Sequence, residues 1–171
     1  HEVLIELFRV RMTMAPEMMH RVFHAEFPDY TSIEITDSNL VEIVATEARA
    51  DLVLLLKDEL PVYAIIVEVQ LARDPRKRFT WPPYAATIRA RYECPVDLLS
   101  VCPESSVARW AAQPIEFLSG QTLALSVLGP ERVPEPTAEE ARQVPELGLL
   151  STMAHPAAPA APAIALSVQE P

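Results

Sequence analysis

Glycine is scarce: the 171 residues hold only 3, against 17 prolines. So few glycines leave no glycine-rich phosphate loop, which argues against nucleotide-driven chemistry. Long apolar runs are missing too. The longest, "LVLLL" at 52–56 and "VYAIIV" at 62–67, fall far short of the roughly 20 residues a spanning helix needs. No secretory signal is visible, because "HEVLIELFRVRM" has no basic start before an apolar stretch. The chain opens on His1 rather than Met, which suggests sequence upstream. There is no HExxH motif, and no serine sits in a nucleophile elbow. His20 and His24, one helical turn apart, lack a third ligand for zinc.

Cysteine is limited to Cys94 and Cys102. They bracket a strand-like segment that would hold them about 25 Å apart at about 3.3 Å per residue. A disulfide tolerates Cα atoms no more than about 7 Å apart. Free thiols and a cytoplasmic setting are therefore expected. Basic residues are outnumbered, and the formal net charge of −10 argues against coating nucleic acid by bulk electrostatics.

What is present is globular: 50% hydrophobic, 22% charged, long enough for one domain with a core. "HEVLIELFRVRM" carries Val3, Leu4, Leu7 and Phe8 at helical spacing, and "APEMMHRVFHAEF" predicts a second helix ending before Pro28. "TSIEITDSNLVEIVATEARADLVLLL" reads as two short strands and a more buried third at 51–56. "KDELP" is a polar turn and "VYAIIVEVQ" the returning strand of a hairpin, since so short a link holds no crossover helix. "LARDPRKRFTWPP" reads as a connection and "YAATIRARY" as a helix with Tyr84, Ile88 and Tyr92 on one stripe. A strand in "PVDLLSVCP", a short helix in "SVARWAAQ" and a strand in "TLALSVLG" follow. "PTAEEARQVPELGLLSTMA" predicts a helix with a proline interruption. The expected class is α/β, a mixed sheet with an antiparallel hairpin flanked by helices. Residues 1–150 form the domain, and the Ala/Pro-rich 151–171 a disordered tail or linker.

Within the hairpin, Asp51 at the start of one strand should lie near Glu68 and Gln70 at the end of the next. Glu68 and Gln70 share a face because strand side chains alternate. Two converging carboxylates offer the hard oxygen ligands that Mg²⁺ or Mn²⁺ requires, and without a cation they repel. A purely structural reading pairs Asp51 with Arg49, and Glu68 with Arg73 or Arg89.

The second feature is "RDPRKRFTWPPYAATIRAR". Between 73 and 91 it holds six basic residues, Arg73, Arg76, Lys77, Arg78, Arg89 and Arg91, against the single acid Asp74. Phe79, Trp81 and Tyr84 are interleaved with them. Basic groups neutralise phosphates and aromatic faces stack on bases; a solvated basic loop is the plainer alternative.

Together, "ARADLVLLL", "YAIIVEVQ" and "RKRFTWPPYAATIRARYECPVDLLSVCP" resemble the PD-(D/E)xK nuclease superfamily, in its branch of recombination-promoting nucleases and transposase-like proteins. The resemblance covers roughly residues 1–150 and implies a restriction-endonuclease-like core. It implies a Mg²⁺- or Mn²⁺-dependent DNA endonuclease, tied to recombination or mobile elements. The alternative is a nuclease-fold module, weak or inactive, that binds DNA or protein. By the same resemblance Asp51, Glu68 and the Val69 carbonyl hold the metal, with Glu6 on the first helix as an additional ligand. Asp51, Glu68 and Gln70 are the catalytic set. The basic segment is expected to hold DNA through Arg73, Arg76, Lys77, Arg78, Trp81 and Arg89. Ala50 replaces the proline of the motif, and Gln70 stands at the lysine position. An amide orients water but brings no charge, so Lys77 or Arg78 is expected to compensate. DNA is the expected partner, with a homodimer as an option and no membrane.

Overall fold

A computed structural model describes residues 1–36, 50–118 and 121–155. The second short strand expected before Asp51, and Arg49 with it, lie outside the described residues, as does the segment 156–171.

The chain begins with α1 (Glu2–Val10), which buries Leu4, Ile5, Leu7 and Phe8 on one face. Ile5 takes the place expected of Val3, which is exposed. Next comes α2 (Met14–Phe23). It stops earlier than its apolar pattern suggests, because His24 turns left-handed at φ 56° and the His20 ring hydrogen-bonds the Ala25 carbonyl. His20 and His24 therefore do not share a helix face.

Five strands form the main sheet, in the order β1 (Ser32–Thr36), β2 (Leu52–Asp58), β3 (Leu60–Val69), β4 (Val96–Val101) and β7 (Ser126–Leu128). β1, β2 and β3 are antiparallel neighbours. β4 and β7 join in parallel, as strands reached through crossover helices must. The hairpin between β2 and β3 is tighter than the polar turn expected. Lys57 and Asp58 remain in the strand, and Glu59 alone reverses the chain at φ 58°. That left-handed geometry costs a non-glycine residue about 1–2 kcal/mol. A register shift beside Pro61 accommodates a residue with no N–H to give.

Alternation along β2 and β3 sorts the core into two layers. Leu52, Leu54, Leu56, Ile65 and Val67 pack with α1, α2 and α6 (Pro145–Ala154). Val53, Leu55, Ala64 and Ile66 pack with α3 (Lys77–Tyr92) and α4 (Ser105–Ala111). The result is an α/β sandwich around a mixed sheet. Gly129 closes it tightly, since a Cβ there would meet the Ala108 Cβ at 2.6 Å.

Three local expectations change. α3 begins at Lys77, not after the prolines, and takes Pro82 and Pro83 inside. Buried Trp81, Tyr84 and Ile88 hold it against the sheet, which offsets the two hydrogen bonds those prolines remove. "TLALSVLG" is two strands rather than one. β6 (Gln121–Leu123) pairs with β5 (Ile115–Leu118) in a separate two-stranded sheet, and only β7 joins the main one. The proline interruption near the end is a full break between α5 (Ala138–Gln143) and α6. α6 continues to Ala154 with Ser151 buried, so packed structure extends past residue 150. Among the described residues no helix is long and apolar enough to cross a membrane.

Candidate metal centre and active site

Register alone brings the two carboxylates together. Leu52 pairs with Val67, so the next step of the antiparallel ladder sets Asp51 across from Glu68. Contact is made at the adjacent backbone, where the Val69 N–H donates to Asp51 Oδ2 at 2.8 Å. His1, at the entrance to α1, places Nε2 3.4 Å from the same oxygen.

Glu68 is fully buried and follows Ala64 and Ile66 onto the α3 face. Its Oε2 receives Lys77 Nζ at 2.5 Å and Trp81 Nε1 at 3.4 Å, whereas Oε1 is buried with no hydrogen-bond partner among the described residues. Burial pushes the Glu68 carboxyl above its ordinary range, and the neighbouring Lys77 ammonium pulls it back in part. Burial disfavours the charge on Lys77 as well, but the Glu68 carboxylate outweighs it and holds the ammonium above its usual value. Lys77 and Glu68 thus meet as a salt bridge whose carboxylate is sealed and whose ammonium is partly exposed. Ser100, which registers beside Glu68 on β4, is also fully buried. Gln70 is buried just beyond the end of β3, its N–H donating to the Val101 carbonyl at 2.9 Å.

Asp51, Glu68 and Val69 therefore meet as the hairpin arithmetic requires. Glu6 does not join them: it is exposed and pairs with Arg9. Among the described residues no three histidine, cysteine or acidic side chains cluster as metal ligands. The donor set still fits Mg²⁺, which is commonly held by one or two carboxylates while water and substrate oxygens complete its shell. An unpartnered, buried Glu68 oxygen is what such an ion would satisfy.

The basic segment divides. Arg73 donates to the Ser106 carbonyl at 3.2 Å, and Arg78 to the carbonyls of Gln113 and Pro114 at 3.2 and 2.6 Å. Arg73 ties the connection before α3 to α4, and Arg78 ties α3 to the segment just after α4. Lys77 turns inward to Glu68, taking the place expected of Arg73 or Arg89 in a structural pair. Arg76 and Arg89 are exposed. Trp81, read as a stacking face for bases, is fully buried against Trp110 and belongs to the core. Phe79, by contrast, is 80% exposed and lines a groove with Pro82, Pro83 and Ile115.

Two site features escaped the sequence reading. His1 carried no pattern linking it to Asp51. The Lys77–Trp81 contact with Glu68 had a signal, because 77, 81, 84 and 88 form one helical stripe, but the prolines concealed it. Comparisons with protein-family models, curated proteins and solved structures returned no match.

Proposed function

We propose that the protein is a metal-dependent DNA endonuclease of the PD-(D/E)xK type, with a restriction-endonuclease-like core. The observation that carries this reading is Glu68: fully buried, across from Asp51, with Oε1 unpartnered among the described residues. A buried carboxylate facing a second carboxylate is a functional-site candidate. The mixed sheet with its antiparallel hairpin supports the core assignment, and the exposed Arg76, Arg89 and Phe79 support a nucleic-acid partner.

Asp51, Glu68 and the Val69 carbonyl would hold Mg²⁺ or Mn²⁺. Such an ion lowers the pKa of water and stabilises charge on a phosphoryl oxygen. Gln70 would orient the attacking water through its amide. In the hydrolysis a water oxygen bonds to phosphorus and one P–O ester bond breaks. The water gives up a proton and the departing sugar oxygen takes one up, so no redox partner is needed.

Plasmid nicking with Mg²⁺ or Mn²⁺ tests the reading. Asp51→Ala and Glu68→Ala, assayed separately, should each abolish cutting; undiminished cleavage in both would sink the site. A second reading, a nuclease-fold module that binds DNA or protein without turnover, draws on the uncharged Gln70. It requires salt-sensitive DNA binding that ignores divalent metal and survives Glu68→Gln.

A further inference from the structure

The first turn of α3 carries different chemistry on its two sides. Lys77 turns inward to Glu68. Phe79 follows two residues on, about 200° round the helix at 3.6 residues per turn, and is exposed. It borders a groove of about 620 Å³, within the roughly 300–1,000 Å³ usual for small-ligand sites. The lining includes the buried Pro82 and Ile115 and the less buried Pro83 and Pro114. None of those four side chains can hydrogen-bond a ligand. Among the described residues the polar lining comes from Arg78 and Glu116. Arg78 commits its guanidinium to the carbonyls of Gln113 and Pro114, which braces the groove. Glu116 is exposed, and an ionised carboxylate only accepts hydrogen bonds.

We propose that this groove receives one unpaired DNA base, stacked on Phe79 and read by Glu116, and that guanine fits it best. The proposal rests on the endonuclease reading and names the substrate structure that reading leaves open. An exposed aromatic ring beside apolar walls suits the flat face of a base, whereas the Glu116 carboxylate repels a phosphate. The backbone has a separate partner in Arg76, which is exposed. It stands three residues before Phe79, on the same side of the helix, so a phosphate at Arg76 sets its base beside Phe79. The pairing edge of guanine carries two adjacent donors, N1–H and the N2 amino group, for the two oxygens of one carboxylate. Adenine and cytosine set a ring acceptor beside their amino donor, and thymine flanks its one donor with two carbonyls. A paired base hides both its face and that edge, and extrusion is easiest where the base is already unpaired. Bulges, flaps and hairpin loops are therefore the favoured substrates. With side chains α3 is about 10–12 Å across. That sets the base roughly three nucleotides from the scissile phosphate, at about 3.4 Å per strand step.

The test reads binding without metal, by fluorescence anisotropy of the full chain on labelled duplexes differing at one bulged nucleotide. A bulged thymine should bind about tenfold more tightly than a bulged abasic site, through stacking. A bulged guanine should gain about a further tenfold through its edge. Phe79→Ala should remove the first step and Glu116→Gln the second. Wild type that binds all three alike, or Phe79→Ala that keeps the stacking step, overturns the base pocket. A guanine step unchanged in Glu116→Gln overturns the reading by Glu116. A guanine bulge in RNA that binds more tightly than its DNA counterpart overturns the choice of DNA. The endonuclease reading fails separately, if wild type cuts no bulged DNA with Mg²⁺ or Mn²⁺ or if Glu68→Ala cuts normally.

Discussion

Asp51 Oδ2 accepts the Val69 N–H at 2.8 Å, so the carboxylate is fixed by the backbone beside the residue it faces. The bond replaces the next rung of the β2–β3 ladder with a side chain. It leaves Asp51 Oδ1 uncommitted to that bond while holding the group against Glu68. The bond also gives the Val69 N–H an acceptor where the ladder ends.

Charge and shape at Asp51 can be separated on that basis. Asp51→Asn keeps an oxygen that accepts the Val69 N–H, so thermal stability should stay close to wild type. Asp51→Ala leaves that N–H without its acceptor and should cost about 1–3 kcal/mol. Both should lose Mn²⁺ affinity alike. Urea unfolding measures the first difference and calorimetry the second. A stable Asp51→Asn that binds Mn²⁺ normally would remove Asp51 from the metal set.

The hairpin was legible because a strand's period is two and its link was short. Those facts alone place Asp51 near Glu68. The start of α3 was not, since Pro82 and Pro83 read as breakers and only burial of Trp81, Tyr84 and Ile88 overrides them. With the helix start misplaced, Lys77 and Trp81 looked like loop groups open to DNA rather than inward neighbours of Glu68. The split of "TLALSVLG" was hidden for a related reason. β6 pairs with β5, a non-local choice that no local pattern encodes. His1 reaches Asp51 through the packing of α1, again a tertiary fact.

Lys77 and Glu68 should be coupled in stability as well as in chemistry. Removing the ammonium leaves a buried carboxylate unpaired, a loss on the order of 3 kcal/mol. Burial raises the Glu68 carboxyl in the folded state, and without Lys77 nothing comparable opposes it. A raised group stabilises the fold below its unfolded pKa, and that contribution is lost as pH rises through the folded value. Lys77→Met should therefore be clearly weaker than wild type at pH 8, with the gap narrowing toward about pH 4. Adding Glu68→Gln should recover most of the loss at pH 8. Urea midpoints across pH decide it; a gap that does not change with pH would contradict the coupling.

Alkaline conditions should probe a different contact, Tyr63 on β3 with Asp97 on β4. The Tyr63 hydroxyl donates to Asp97 Oδ2 at 2.9 Å, and its ring meets Phe27 edge-on at 4.9 Å. Burial first, then the Asp97 charge and hydrogen bond, push the phenol up. The unfolded chain thus ionises first, near pH 10. Stability from Tyr63 is complete below that pH and declines above it. Wild type should lose about 1 kcal/mol from this group by pH 11. Tyr63→Phe should show a shallower decline between pH 9 and about 11. Equal slopes in the two proteins would mean that Tyr63 ionises as it does in water.

Phe79 and Trp81, two residues apart on α3, should separate stability from binding. Trp81 is fully buried and Phe79 is 80% exposed, so truncation acts on different states of the chain. Trp81→Ala opens a cavity between α3 and α4 and should cost about 3–5 kcal/mol. Phe79→Ala removes nothing from the core and should change stability by no more than about 0.5 kcal/mol. On the endonuclease reading, Phe79 is the aromatic available to a base, and its loss should weaken single-stranded DNA binding by about 1–3 kcal/mol. Arg76→Ala should instead reduce the salt dependence of that binding, since a phosphate contact releases a counterion. Fluorescence anisotropy at several salt concentrations reads both effects. If Phe79→Ala binds as wild type while Arg76→Ala does not, the protein holds the DNA backbone alone and stacks no base at this groove.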